Sequence, residues 1–86
     1  MIKFIMYVYI HKSNVQKQVF ITTEYINLGA LLKYLGIIQQ GSEAANFLAT
    51  SFVLVNNIQE TRRGRKIYPG DELIINGDNY LVHRKN

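Results

Sequence analysis

Apolar residues fill both faces of residues 2–11, a stretch rich in β-branched and aromatic types. This pattern predicts a strand covered on two sides or paired centrally. Lys12-Ser13-Asn14 predicts a turn. Over residues 15–22, Val15, Val19 and Ile21 fall on one face and Gln16, Gln18 and Phe20 on the other, so residues 2–22 are expected to form a hairpin. The period changes at Asn27. Leu28, Leu31, Leu32 and Leu35 follow at i, i+3, i+4 and i+7, one face of a helix, with Asn27 as N-cap and Gly36 as stop. A second helical pattern places Ala44, Phe47, Leu48 and Phe52 on one face, with Ser42 as N-cap. Each helix spans about ten residues, too short to stand alone, so the two must pack on each other and on the strands.

The period returns to that of strands at Val53-Leu54-Val55. Asn56-Asn57 supplies residues that tolerate positive φ in a tight turn, and Ile58 restarts a strand. Pro69-Gly70 suits a type II turn, because Pro fixes its own φ and Gly accepts a positive one. Leu73-Ile74-Ile75, the turn 76–79 and Tyr80 to His83 predict a closing hairpin, and the tail Arg84-Lys85-Asn86 is expected to fray. The predicted class is α+β: two short packed helices against a small, mostly antiparallel sheet, with an added N-terminal β-hairpin over residues 1–22. The whole is expected to form one compact domain.

Composition narrows the chemistry. Eighty-six residues, 48% of them hydrophobic with six Tyr and four Phe, suffice for one core and are too apolar for disorder. The absence of cysteine excludes disulfides, zinc–thiolate sites and thiol nucleophiles, and fits a reducing, cytoplasmic setting. The apolar run 4–10 is far too short to span a bilayer. It follows Lys3, but no small-residue cleavage site comes after it, so a buried strand is expected rather than a signal peptide. No cofactor, metal set or membrane partner is expected. His11 and His83 lack partners at ligand spacing, and the acids show no pairing suited to acid–base catalysis, so the sequence reads as a non-enzyme.

The formal charge is +4, from ten Lys and Arg against six Asp and Glu, and four of the cations lie in 62–66. Arg62-Arg63-Gly64-Arg65-Lys66 is a short connection inside a folded sheet rather than a tail. Guanidinium groups offer a planar, permanently charged fork of donors suited to phosphate, and the alternative is a solvated charged loop.

The order of two helices, Val53-Leu54-Val55-Asn56-Asn57, a basic loop and Pro69-Gly70-Asp71-Glu72-Leu73 resembles the RNA-binding domain named after ribosomal small-subunit protein four. The likeness covers residues 25–76. Thr23-Glu24-Tyr25-Ile26-Asn27-Leu28-Gly29 and the 62–66 run are similar to the small stand-alone YaaA-type branch of that family. The resemblance implies that residues 23–86 form an RNA-binding domain, with RNA lying across the helix pair and the adjoining loop. It implies ribosomal RNA as the partner, with ribosomal proteins as further candidates. Commoner family members carry arginines at the starts of both helices. Here 27–29 and 41–45 carry none, which shifts the charge to the 62–66 loop.

On that resemblance Arg62, Arg63, Arg65 and Lys66 are expected to contact phosphates, with Gly64 allowing close backbone approach. Lys33 extends the basic surface or is a plain solvated lysine. Tyr25 and Tyr34 stack on unpaired bases or are half-buried core residues, and Tyr68 beside Pro69 reads as packing. Ser42 with Gly41 offers a small anion contact at a helix start, against which Glu43 counts. A second functional class fits part of the pattern: a β-grasp protein-interaction module, distinguished by a loop rather than a helix over 41–52. Phosphate chemistry alone would also suit DNA.

Overall fold

The computed structural model describes residues 15–86. The first strand and turn of the hairpin expected over 2–22 lie outside these residues. Strand β1 (Gln16–Ile21) is followed by β2 (Ile26–Asn27), helix α1 (Leu28–Tyr34), a 3-10 turn (Gly41–Glu43) and helix α2 (Ala44–Thr50). Strands β3 (Val53–Val55), β4 (Ile58–Gln59), β5 (Lys66–Ile67), β6 (Glu72–Ile75) and β7 (Asp78–Arg84) complete the chain. The main sheet has the order β1-β7-β6-β3-β4, and β2 pairs with β5 in a separate ribbon. All pairings are antiparallel except β1 with β7, which run parallel. The α+β class and the helix pair are as the sequence predicts. No described helix is long and apolar enough to cross a membrane.

One face of the sheet meets the helices. Val19, Ile21, Val53, Val55, Leu73, Ile75 and Val82 pack with Leu28, Leu31, Leu32 and Leu48 in one buried cluster. The three leucines of α1 are fully buried, each worth about 2 kcal/mol of transfer free energy. That burial is what stabilises a helix of only seven residues. Helix α1 ends where the sequence predicts. Gly36 takes φ 78°, its N–H donates to Lys33 O, and the Ile37 N–H donates to Leu32 O, the two hydrogen bonds of a left-handed C-cap.

The turns also follow the sequence, except that the last is two residues long and not 76–79, because Ile75 pairs with Asp78 and β7 begins there. Asn56 and Asn57 take φ 50° and 71°, and Asn76 and Gly77 take 49° and 94°. Two positive φ values in succession make the tight hairpin that matches strand twist. Gly70 at φ 97° follows Pro69, and the Asp71 N–H closes the turn on Tyr68 O at 2.9 Å.

Four local expectations are corrected. Ser42 does not cap α2: it lies within the 3-10 turn, and Glu43 occupies the cap position. The Glu43 carboxylate reaches back to accept the Gln39 N–H at 3.0 Å, which favours the tighter turn. Phe52 leaves the helical face and is exposed, because its backbone, just before β3, is held by Asn76: its N–H donates to Asn76 Oδ1 and its carbonyl accepts the Asn76 N–H. Val15 precedes β1 and is exposed instead of facing the core. The tail is tied down, since Arg84 pairs with Ile21 and the Lys85 N–H donates to Ile21 O at 2.7 Å. The segment 41–50 is helical, the outcome that separates this fold from a β-grasp module.

Candidate functional site

The basic loop is seated on the start of α1. The first N–H groups of a helix lack partners within it. Here Leu28 N–H donates to Arg65 O at 2.8 Å and Gly29 N–H to Arg63 O at 2.9 Å. The Asn27 side chain makes no cap, although Asn27 occupies the predicted N-cap position. The loop carbonyls do that work, so the helix terminus fixes the loop and the arginine side chains are left to point elsewhere. A further bond, Arg65 N–H to Arg62 O at 3.2 Å, folds the loop on itself. Gly29 permits the close seating: a Cβ there would lie 3.3 Å from the Cβ of Arg63 and 3.3 Å from that of Ala44.

Glu60 organises two of the arginines, a role the sequence reading does not give it. It is the buried charged residue among the described ones, at 6% exposure. Its Oε2 accepts Arg62 Nε at 3.0 Å and the N–H groups of Thr61 and Arg62. Its Oε1 accepts Arg62 Nη2 at 3.2 Å and Arg65 Nη1 at 2.8 Å. The Arg62 fork is the largest influence lowering the Glu60 pKa to about 2; burial opposes it, and the Arg62 N–H and Arg65 assist. The same pair raises the Arg62 pKa. The available signal was position, since one acid stands two residues before a basic run.

Arg63 and Lys33 pair with no carboxylate among the described residues. Both border a shallow groove whose remaining walls include Gly29, Ala30, Gly41 and Ala44, small residues that put no bulky side chain into it. Ser42 is exposed beside this groove in the 3-10 turn. A Cβ at Gly64 would meet nothing within 4 Å, so the loop is open to solvent there. Four loop cations less the Glu60 carboxylate leave a local charge of +3, to which Lys33 adds one.

Lys66 and Tyr25 meet on the β2–β5 ribbon, where the Lys66 ammonium stands 5.0 Å from the Tyr25 ring centroid. Tyr68, read as packing, is 43% exposed and lies beside Tyr25 instead. Tyr34 belongs to a different place, its hydroxyl donating to Phe20 O on β1 at 3.1 Å. His83 is bound into β7 with its ring stacked on Phe20 and hydrogen-bonded to Gln18 Oε1. Among the described residues no group of three His, Cys, Asp or Glu could hold a metal ion.

The sequence pattern of the S4 domain matches residues 19–83. Over 57 residues the chain is 49% identical to a Bacillus subtilis (strain 168) protein named probable ribosome maturation protein RlbA, a match covering 66% of this chain and 80% of that protein. No solved structure is significantly similar to it. With the helix pair, the seated loop and the mostly antiparallel sheet in place, and most of its length matched, this chain belongs to the S4 domain family.

Proposed function

We propose that this protein binds structured RNA, docking on ribosomal RNA or on an assembling ribosomal particle in the cytoplasm through the 62–66 loop and the helix pair beside it. The observation that carries the reading is the seating of the loop on α1 by the Arg63 and Arg65 carbonyls. A charged loop held in place loses little entropy when it meets a phosphate backbone, whereas a free one must be ordered. Arg63 and Lys33 supply phosphate contacts across the small-residue groove, and Lys66 adds a third. Arg62 keeps exposed guanidinium surface while Glu60 fixes its direction. Such contacts position an RNA and do not read its sequence. Membership of the S4 domain family supports the RNA assignment, and the name of the Bacillus relative, a probable ribosome maturation protein, supports the ribosomal context. The reading assigns no catalysis.

Fluorescence anisotropy over a salt series, with a folded ribosomal RNA fragment and a matched DNA duplex, tests it. The informative variant is Lys33→Ala with Arg63→Ala, because neither side chain supports Glu60. RNA affinity above DNA affinity, and weaker in the variant, is the expected result. Equal binding by wild type and folded variant would remove the groove from the interface.

A further inference from the structure

The β2–β5 ribbon has one buried face and one exposed face. Ile26 opposes Ile67, and Ile67 is fully buried. Alternation along each strand therefore turns the neighbours Tyr25, Asn27, Lys66 and Tyr68 outward. Tyr25 and Tyr68 are 37% and 43% exposed, with ring centroids 5.7 Å apart and planes tilted by 43°. Lys66 links them to the loop by standing against Tyr25 while lining a shallow concavity with Tyr68, Arg62, Gly64 and Arg65. Two large, partly exposed aromatic rings thus lie at the border of a cluster of cations. Neither ring is needed to close the core, which Ile26 and Ile67 already reach.

We propose that the Tyr25–Tyr68 pair is a stacking subsite for one unpaired nucleobase of the bound RNA, placed so that the phosphates flanking that base fall on Lys66 and the 62–66 loop. The inference rests on the RNA-binding reading above and specifies the substrate within it: a helix interrupted by a bulged or looped-out nucleotide. Three features select this occupant. The rings offer π-faces to which any base can stack. The charge next to them is positive and suited to a polyanion. The ribbon is pinned at its other end by the Leu28–Arg65 backbone bond, so rings and cations keep a fixed spacing. A base inside a duplex already has its faces covered, whereas an unpaired one does not.

The test uses the full chain and a synthetic RNA hairpin carrying a single bulged 2-aminopurine, beside the same hairpin fully paired. Wild type is expected to bind the bulged hairpin at least about fivefold more tightly, the lower end of the effect of one base–aromatic stack. The 2-aminopurine fluorescence should fall on binding. Tyr25→Leu with Tyr68→Leu should bring the bulged hairpin down to the affinity of the paired one and remove the fluorescence change. Tyr25→Phe with Tyr68→Phe should preserve both. Equal wild-type affinity for the two hairpins without a fluorescence change overturns the stacking subsite and leaves the phosphate reading standing. A preference that survives in the folded leucine variant also overturns it. Failure of wild type to bind either hairpin at low salt overturns both.

Discussion

The side chains of Asn56 and Asp71 join two turns that are 15 residues apart in sequence: Asn56 Nδ2 donates to Asp71 Oδ1 at 3.0 Å. Each also holds backbone. Asn56 Oδ1 accepts the Glu72 N–H at 3.0 Å, and Asp71 Oδ2 accepts the Tyr68 N–H at 2.7 Å. The Val-Leu-Val-Asn-Asn and Pro-Gly-Asp sequences are thus two halves of one clamp. Asn56→Ala removes both side-chain bonds and puts at φ 50° a residue that tolerates the left-handed region less well than asparagine. A loss of about 2–3 kcal/mol is expected, from roughly 1 kcal/mol per bond and about 1 for the backbone. Urea unfolding at constant m checks it, and a midpoint unchanged from wild type would refute the clamp.

Glu60 gives the fold an acid limit. Its pKa is about 2 when folded against an ordinary 4.5, so the unfolded chain binds its proton first as pH falls. The stabilisation is complete above about pH 4.5 and is lost progressively as pH drops towards 2. In Glu60→Gln that part of the acid dependence should vanish while stability at neutral pH is lower than in wild type. Unfolding curves of both proteins from pH 6 to pH 2 would show whether they converge at the acid end.

Charge removal in the groove should be visible in salt dependence. Lys33→Ala with Arg63→Ala deletes two phosphate contacts, so the slope of log affinity against log salt should become shallower by roughly 1.4–1.8. Thermal unfolding should move little, as neither side chain has a carboxylate partner among the described residues. A parallel drop in affinity at every salt concentration, with the slope kept, would mean that the two cations do not meet phosphate.

Gly29→Ala tests the seating of the loop. Alanine gains about 1 kcal/mol of helix propensity over glycine. The new methyl would sit 3.3 Å from both Arg63 Cβ and Ala44 Cβ, and relieving such crowding costs about 1–3 kcal/mol. A net loss of up to about 2 kcal/mol is expected, together with weaker RNA binding as the loop lifts. Stabilisation without a change in binding would show that the loop yields freely.

Much of the scaffold was legible because its signals are local. The leucine spacing of α1, the stop at Gly36 and the positive-φ turns at Asn56-Asn57, Gly70 and Gly77 each depend on residues within a few positions of one another. What escaped depends on distant partners. Phe52 continues a helical spacing, yet Asn76 holds its backbone at the entry to β3. Glu60 reads as one more surface acid until Arg62 and Arg65 fold over it. The cap of α1 is invisible in residues 25–30, since it comes from carbonyls more than thirty positions on, and a carbonyl has no residue-type signature. The Tyr25–Tyr68 pairing is likewise a matter of register between two strands of two residues each.

The parallel pairing of β1 with β7 has a consequence for the order of assembly. Gln16 faces Asn79 and Ile21 faces Arg84, so the earliest described strand meets its described neighbour only in the last described one. Contacts of such high sequence separation form late, because the long intervening chain must first be closed. During synthesis the helices, the basic loop and the β3–β6 pairing can gather while β1 still lacks β7. Val19 and Ile21 remain without their place in the core until then, so β1 leaves apolar side chains and an unpaired strand edge uncovered while the rest of the described fold gathers.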